Sequence, residues 1–418
     1  MNPSAGHRKN LRILIASGIV MILFCGFFIS QSPSPGYSTI LKRVHVVAYK
    51  EKVIRIQEEF EQLYDPLFSP GDPGGAILVR KKGQNIFLKS YGVADLETLE
   101  PVTAQTVFNT GSISKTFVAY GILILDHEGL LSLNDSILKF FDAFENKAVV
   151  KDVKIKHLLT HTSGLPDLRK VQDEFDFYLT AKDQENFAPL YQTQKLHFHP
   201  GERFEYSNPA FNGLALIIEK ITQQPWQNFI HDRVFKPVGM YHSTITDGDH
   251  PREGVAHAYI PHHGTYIELD YGEEPTFAAA GNGGVWSSVL DLARYEEAIR
   301  NAVFLPAEVL SPSREVVKFP TWKDTQKPQV GMSWFIADED SHSNEFGLKI
   351  ISHTGWQGGF RGFMISIPEK KVVYIGLFNR PIKTLSESFN PFAASRENKG
   401  DLRIEGIRIL QSHNWLDN

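Results

Sequence analysis

The stretch Ser112–Gly129, SISKTFVAYGILILDHEG, carries apolar residues on nearly every side of a helix and closes on a glycine. A helix without a polar face has to be buried, and glycine just past its end is a common stop. On the N-terminal side, Ala76–Arg80 and Ile86–Tyr91, joined by KKGQN, read as a strand hairpin. Further upstream, about Val44 to Tyr64 repeats apolar residues at helical spacing. On the C-terminal side, about Leu130 to Tyr295 is mainly helical in pattern, with many Pro and Gly loops. Strand patterns return at Ile350–His353, Phe360–Ile367 and Val372–Phe378, the last two joined around PEKK, and a closing helix is expected near Leu402–Leu410. Strands at both ends of a helical middle predict an α+β chain: a sheet domain assembled from both termini, with a helical insertion.

Composition narrows the function. The chain has 418 residues, 42% of them apolar, which is ample for a core and excludes wholesale disorder. Its net charge of −5, with no long basic run, argues against a nucleic-acid partner. The single cysteine, Cys25, rules out an intramolecular disulfide and any multi-cysteine metal site.

Residues Ile13–Ser30 carry no charge and follow Arg8, Lys9 and Arg12. A run of this kind is shared by uncleaved anchors and secretory signals. With the positive residues kept inside, the bulk of the chain is expected to be exported, tethered or released after cleavage. The expected boundaries are a cytoplasmic segment at 1–12, the anchor or signal at 13–30 and a stiff linker at 31–43. A hydrolase domain at 44–385 follows, its helical part within about 130–295, and a C-terminal segment at 386–418.

Several motifs are missing: G-x-S-x-G, H-E-x-x-H and the phosphate-binding G-x-x-x-x-G-K-[ST]. The five histidines between His242 and His263 are irregularly spaced among Pro and Gly and read as surface-loop residues; no metal site is expected. S-x-x-K occurs twice, as Ser112-Ile-Ser-Lys115 and Ser136-Ile-Leu-Lys139. Positions i and i+3 share a helix face, so the lysine amine can reach the serine hydroxyl. Burial disfavours the ammonium and lets a neutral lysine take the serine proton. Ser112 follows Gly111 at the start of the buried helix, where free N–H groups favour an oxyanion, whereas Ser136 lies in a polar stretch. Ser112 is therefore the candidate nucleophile.

Two more elements bear on chemistry. Tyr206-Ser207-Asn208 reads two ways: as a phenol that shuttles protons beside an amide that holds a substrate carbonyl, or as ring packing beside Asn208 capping the helix opened by Pro209. His353-Thr354-Gly355, followed by Trp356, is either a strand edge that pairs with substrate or a strand running into a loop.

Ser112, Tyr206 and His353, separated by 94 and 147 residues, together resemble the serine β-lactamase and penicillin-recognising enzymes. So do Leu158–Pro166 (LLTHTSGLP), His199–Tyr206 (HPGERFEY) and Ala279–Trp286 (AAGNGGVW). Y-S-N is similar to the class C branch, with its DD-peptidases, D-aminopeptidases and esterases. The resemblance implies an antiparallel sheet flanked by helices plus an all-helical domain, with the active site between them. It also implies a Ser112 acyl-enzyme, Lys115 and Tyr206 as the base pair, and Asn208, His353, Thr354 and Gly355 as substrate-binding residues. The oxyanion hole falls to the N–H groups of Ser112 and Trp356, and no cofactor is implied. His353 stands where most β-lactamases have lysine, which lowers the expectation of β-lactam hydrolysis. Three functions follow: a hydrolase of D-amino-acid peptides or related amides in the cell envelope, a carboxylesterase or weak β-lactamase, or a non-hydrolysing sensor.

Overall fold

The computed structural model describes residues 35–168, 182–245, 254–269, 281–323, 329–340, 344–386, 388–395 and 398–417. The expected anchor or signal at 13–30 lies outside them. Among the described residues no helix is long and apolar enough to cross a membrane. The chain divides at Ile54/Arg55 into two units, and helix α1 (Pro35–Tyr64) crosses that boundary. It begins inside the stretch 31–43 expected as linker. Proline tolerates the first helical position because its missing N–H would have had no partner there.

Everything else described belongs to the second unit. Strands β1 (Gly75–Lys81), β2 (Gln84–Tyr91), β3 (Phe335–Ala337), β4 (Ile350–Gln357), β5 (Phe360–Ile367) and β6 (Val372–Phe378) form one sheet. Their order is β2-β1-β6-β5-β4-β3, every pair antiparallel. Both hairpins expected from the sequence are present. The first turns through Lys82 and Gly83, both at positive φ, which matches the twist of two antiparallel strands.

Strand β6 is buried along its whole length, so its alternation separates two buried layers rather than core from solvent. Val373, Ile375 and Leu377 face the large core together with Ala76, Leu78 and Met364. Tyr374 meets Phe60 on the other face at 5.7 Å between ring centroids, and Phe60 stacks on Phe87. Ile56, Phe60 and Tyr64, four residues apart, line the buried side of α1. The closing helix α7 (Leu402–Ser412) reaches the same face, where Tyr374 Oη donates to Leu402 O at 3.1 Å.

The core side of the sheet carries the helices. The expected buried helix is α2 (Ser114–His127), preceded by a 3-10 turn at Gly111–Ile113, and all its side chains from Ser114 to Leu125 are buried. Beside it lies α4 (Asn208–Thr222), and α6 (Val289–Arg300) backs the sheet. Short helices α3 (Asp183–Phe187) and α5 (Trp226–Ile230) flank α4. The helical middle is less pure than its pattern suggests. Thr244–Ile245 and Val285–Ser287 form a small sheet with Phe108–Asn109, and Tyr259–His262 pairs with Thr265–Glu268.

Candidate active site

The site is built where the turn before α2 meets the edge of the sheet. Strand β3 pairs only with Ile350–Ser352, so no described strand covers the outer edge of β4 from His353 onward. The Gly111–Ile113 turn packs there at backbone distance. A Cβ on Gly355 would sit 1.8 Å from Thr110 O, and one on Gly111, at φ +50°, would sit 2.5 Å from the Trp356 nitrogen. Only glycine permits that approach. The turn is pinned from the small sheet as well: Thr110 Oγ1 donates to Val285 O (2.8 Å) and Val285 N donates to Ser114 Oγ (2.9 Å).

One helical turn on, Lys115 is fully buried. Its Nζ donates to Ser112 Oγ at 3.0 Å and to Asn282 O at 2.6 Å. It also lies 5.1 Å from the Tyr206 ring centroid, so Ser112, Lys115 and Tyr206 are brought together as expected. Tyr206 precedes α4, and the reading of Asn208 as its cap is corrected. Ser207 is the cap, its hydroxyl accepting from Ala210 N at 3.3 Å, while the half-buried Asn208 is the first helical residue. Ser136 stands apart from this group. Its hydroxyl donates to Lys151 O at 3.0 Å and its backbone opens a short turn, while Lys139 pairs with Asp135.

His353 is fully buried, with Nδ1 donating to Thr354 O at 2.7 Å. That bond leaves Nε2 as the acceptor, and no hydrogen-bond partner among the described residues meets it. Burial, and next the Lys115 ammonium, push its pKa down to about 3, so it is neutral across the physiological range. The sequence made this histidine mostly neutral; its burial makes it wholly so. Thr354 is buried beside it, and Trp356 is half-buried under the Arg361 guanidinium, 5.0 Å from its ring.

Several neighbours were not singled out from the sequence. His161, inside the quoted LLTHTSGLP, stacks on Tyr206 at 4.3 Å and accepts from Ser207 N at Nδ1 (3.0 Å). Burial, with Lys115 behind it, holds its pKa well below the usual range. Phe389, 41% exposed, stacks on the other side at 4.6 Å from Tyr206 and 5.5 Å from Phe335. Asn282 was likewise inside a quoted segment, but nothing in its residue type announces that its backbone carbonyl receives a lysine. Of the loop histidines, His257 Nδ1 contacts Glu268 (3.1 Å), His262 and His263 sit at a hairpin turn, and His250 lies outside the described residues. Among the described residues no group of three His, Cys, Asp or Glu side chains is arranged to hold a metal.

This is the fold of the serine hydrolases that place a Ser-x-x-Lys pair and a Tyr-x-Asn element between a helical layer and an antiparallel sheet. The Beta-lactamase family model matches residues 58–394, and the chain belongs to that family. It is 27% identical over 337 residues to penicillin-binding protein 4* of Bacillus subtilis (strain 168), covering 78% of this chain and 72% of that one. A similar solved structure is the octameric penicillin-binding protein homologue from Pyrococcus abyssi, with TM-score 0.69 and 26% identity over 87% of this chain and 78% of that one. The D-amino acid amidase from Ochrobactrum anthropi SV3, solved with L-phenylalanine amide, shares the fold at TM-score 0.64 and 20% identity, over 86% and 99% of the two chains.

Proposed function

We propose that the chain is an exported serine acyl-transfer hydrolase of amides, D-amino-acid amides and peptides foremost, with no carboxylate beside the scissile bond. The observation that carries the chemistry is the 3.0 Å contact between Lys115 Nζ and Ser112 Oγ in a fully buried setting. With the Lys115–Tyr206 pair one proton short, as an ammonium beside a phenolate or an amine beside a phenol, the serine proton passes to it as Oγ bonds to the substrate carbonyl carbon. The pair then returns the proton to the leaving amine as the C–N bond breaks, and water releases the acyl group by the same route. The N–H groups of Ser112 and Trp356 receive the oxyanion, in keeping with the close approach of the turn to the strand.

The preference for a neutral substrate rests on His353. A buried neutral imidazole offers a substrate carboxylate no charge, whereas an amide or ester asks for none. A carboxylesterase is the second reading, supported by the aromatic wall of Tyr206, Phe389 and Phe335, which suits a hydrocarbon group. Export is supported by Arg8, Lys9 and Arg12 ahead of the uncharged run 13–30. The test is the specificity constant of the full-length protein, with Ser112→Ala as control, on four substrates: a D-amino-acid amide, a D-Ala-D-Ala peptide, a nitrophenyl ester and a chromogenic cephalosporin. The amide and ester should be turned over at least about tenfold better than the other two. A preference for the cephalosporin would overturn the neutral-substrate reading.

A further inference from the structure

Behind Lys115 runs a chain of buried polar contacts that no step above uses. Asp183, at the start of α3, is nearly inaccessible, and its carboxylate meets three N–H donors. Oδ1 accepts from Asn212 Nδ2 at 2.6 Å and from Gly281 N at 2.6 Å, and Oδ2 accepts from Trp226 Nε1 at 2.9 Å. Asn212 Oδ1 in turn accepts from Asn282 Nδ2 at 2.9 Å, and Asn282 O accepts the lysine amine at 2.6 Å. Asn212 and Trp226 are fully buried. Gly281 is pressed on α4 so closely that a Cβ would lie 2.8 Å from Phe211 O.

We propose that Asp183 is a positioning residue for Lys115: by fixing Gly281 directly and Asn282 through Asn212, it sets the carbonyl that aims the amine at Ser112. A carboxylate suits the place because all three neighbours are donors, so ionised oxygens satisfy each of them. A buried ion is otherwise costly, and an amide or hydroxyl would leave a donor orphaned. Bonds in such a series also strengthen one another in a low-dielectric interior. Burial raises the carboxyl to about 7, against the pull of its three donors. The charged group facing it from α4 is Glu219, which raises it further; on its own element Lys182 and Glu185 are exposed. Below that pH the carboxyl gains a proton, an O–H replaces an acceptor, and one of the three N–H groups loses its partner. The hold on the 281–282 backbone then weakens, and with it the aim of Lys115.

The inference rests on Ser112 and Lys115 being the nucleophile and its base, and the experiment separates the two ideas. The probe is a fluorophosphonate, which labels an activated serine whatever the natural substrate is. Labelling rate, final extent of labelling and melting temperature are measured from pH 5.5 to 9 for the full-length protein and for Ser112→Ala, Asp183→Asn and Asn282→Ala. The expected result is labelling of all sites in Asp183→Asn at a rate lower by about tenfold to a hundredfold, with the inflection near pH 7 gone. Asn282→Ala, which cuts the relay without touching Asp183, should also label slowly, and it carries the test if Asp183→Asn does not fold. Wild-type rates in both variants would overturn the inference. So would a reduced extent of labelling at the wild-type rate, which marks a structural role only. Undiminished labelling of Ser112→Ala would instead overturn the nucleophile assignment, and the inference with it.

Discussion

A buried histidine that stays neutral at working pH is a pH liability, and among the described residues His353 is one of three. Its pKa falls to about 3 and that of His157 to about 4, both mainly through burial, and His161 also drops well below normal. In the unfolded chain each titrates near 6.5. The unfolded state therefore takes up protons first as pH falls, and stability is lost from about 6.5 down toward the folded values. Thermal melts should show this loss between pH 6.5 and 4, and His353→Asn should shrink it. Asp183 acts in the opposite sense, since its raised pKa costs stability as pH climbs from about 4 toward 7. His353→Lys places a second cation beside Lys115. We expect a lower melting temperature, with the preference between a cephalosporin and a neutral ester moved about tenfold toward the cephalosporin, equivalent to about 1.4 kcal/mol. An unchanged ratio would show that position 353 does not face a substrate carboxylate. Ser112→Ala should cost several orders of magnitude in hydrolysis and Ser136→Ala nothing measurable, as assayed on whichever substrate is turned over.

At the scale of elements, the contact between the Ser112 turn and β4 is the most exacting in the site. Gly355→Ala drives a methyl group into Thr110 O. It should cost about 1–3 kcal/mol of stability and about a hundredfold in rate, read by melting and by acylation kinetics together. Nothing in a His-Thr-Gly tripeptide announces this; the sequence suggested strand and glycine, and the reason for the glycine lay far upstream, at the Thr110 carbonyl. Strands β5 and β6 were legible because two short segments rich in β-branched and aromatic residues flank the turn-forming Pro368-Glu369-Lys370-Lys371. Helix α2 was legible for the same kind of reason. Phe335–Ala337 and the strands of the small sheet are two or three residues long, too short to carry a period, and exist only because partners are supplied. The serine, lysine and tyrosine could be found by pattern. Asp183 and His161 could not, since their importance is a matter of which buried atoms they face.

For the molecule as a whole, the outer face of the sheet is closed by the C-terminal helix, which a buried ion pair locks down. Arg403 and Asp401 are both buried, joined through Nε–Oδ1 at 2.9 Å and Nη2–Oδ2 at 2.7 Å, and Arg403 also donates to Ser386 O at 3.0 Å and Ser388 O at 3.1 Å. Arg403→Ala strands a buried carboxylate and should destabilise by about 3–5 kcal/mol in a denaturant titration. Lys139→Ala removes the exposed pair with Asp135 and should shift the same curve by less than about 1 kcal/mol.

Strand β1 is hydrogen-bonded on one side to β2, a few residues away, and on the other to β6, nearly three hundred residues later. During synthesis the first hairpin therefore leaves the ribosome with one edge bare, and it stays bare while the whole helical middle is translated. At about 5–20 residues per second that wait lasts tens of seconds. An unpaired apolar edge exposed for so long invites pairing with other nascent chains, so folding in the cell should depend on a chaperone that shields it. Ribosome-arrested chains ending before Val372 should remain open to protease across residues 75–91, and chains extended past Asn418 should close that window.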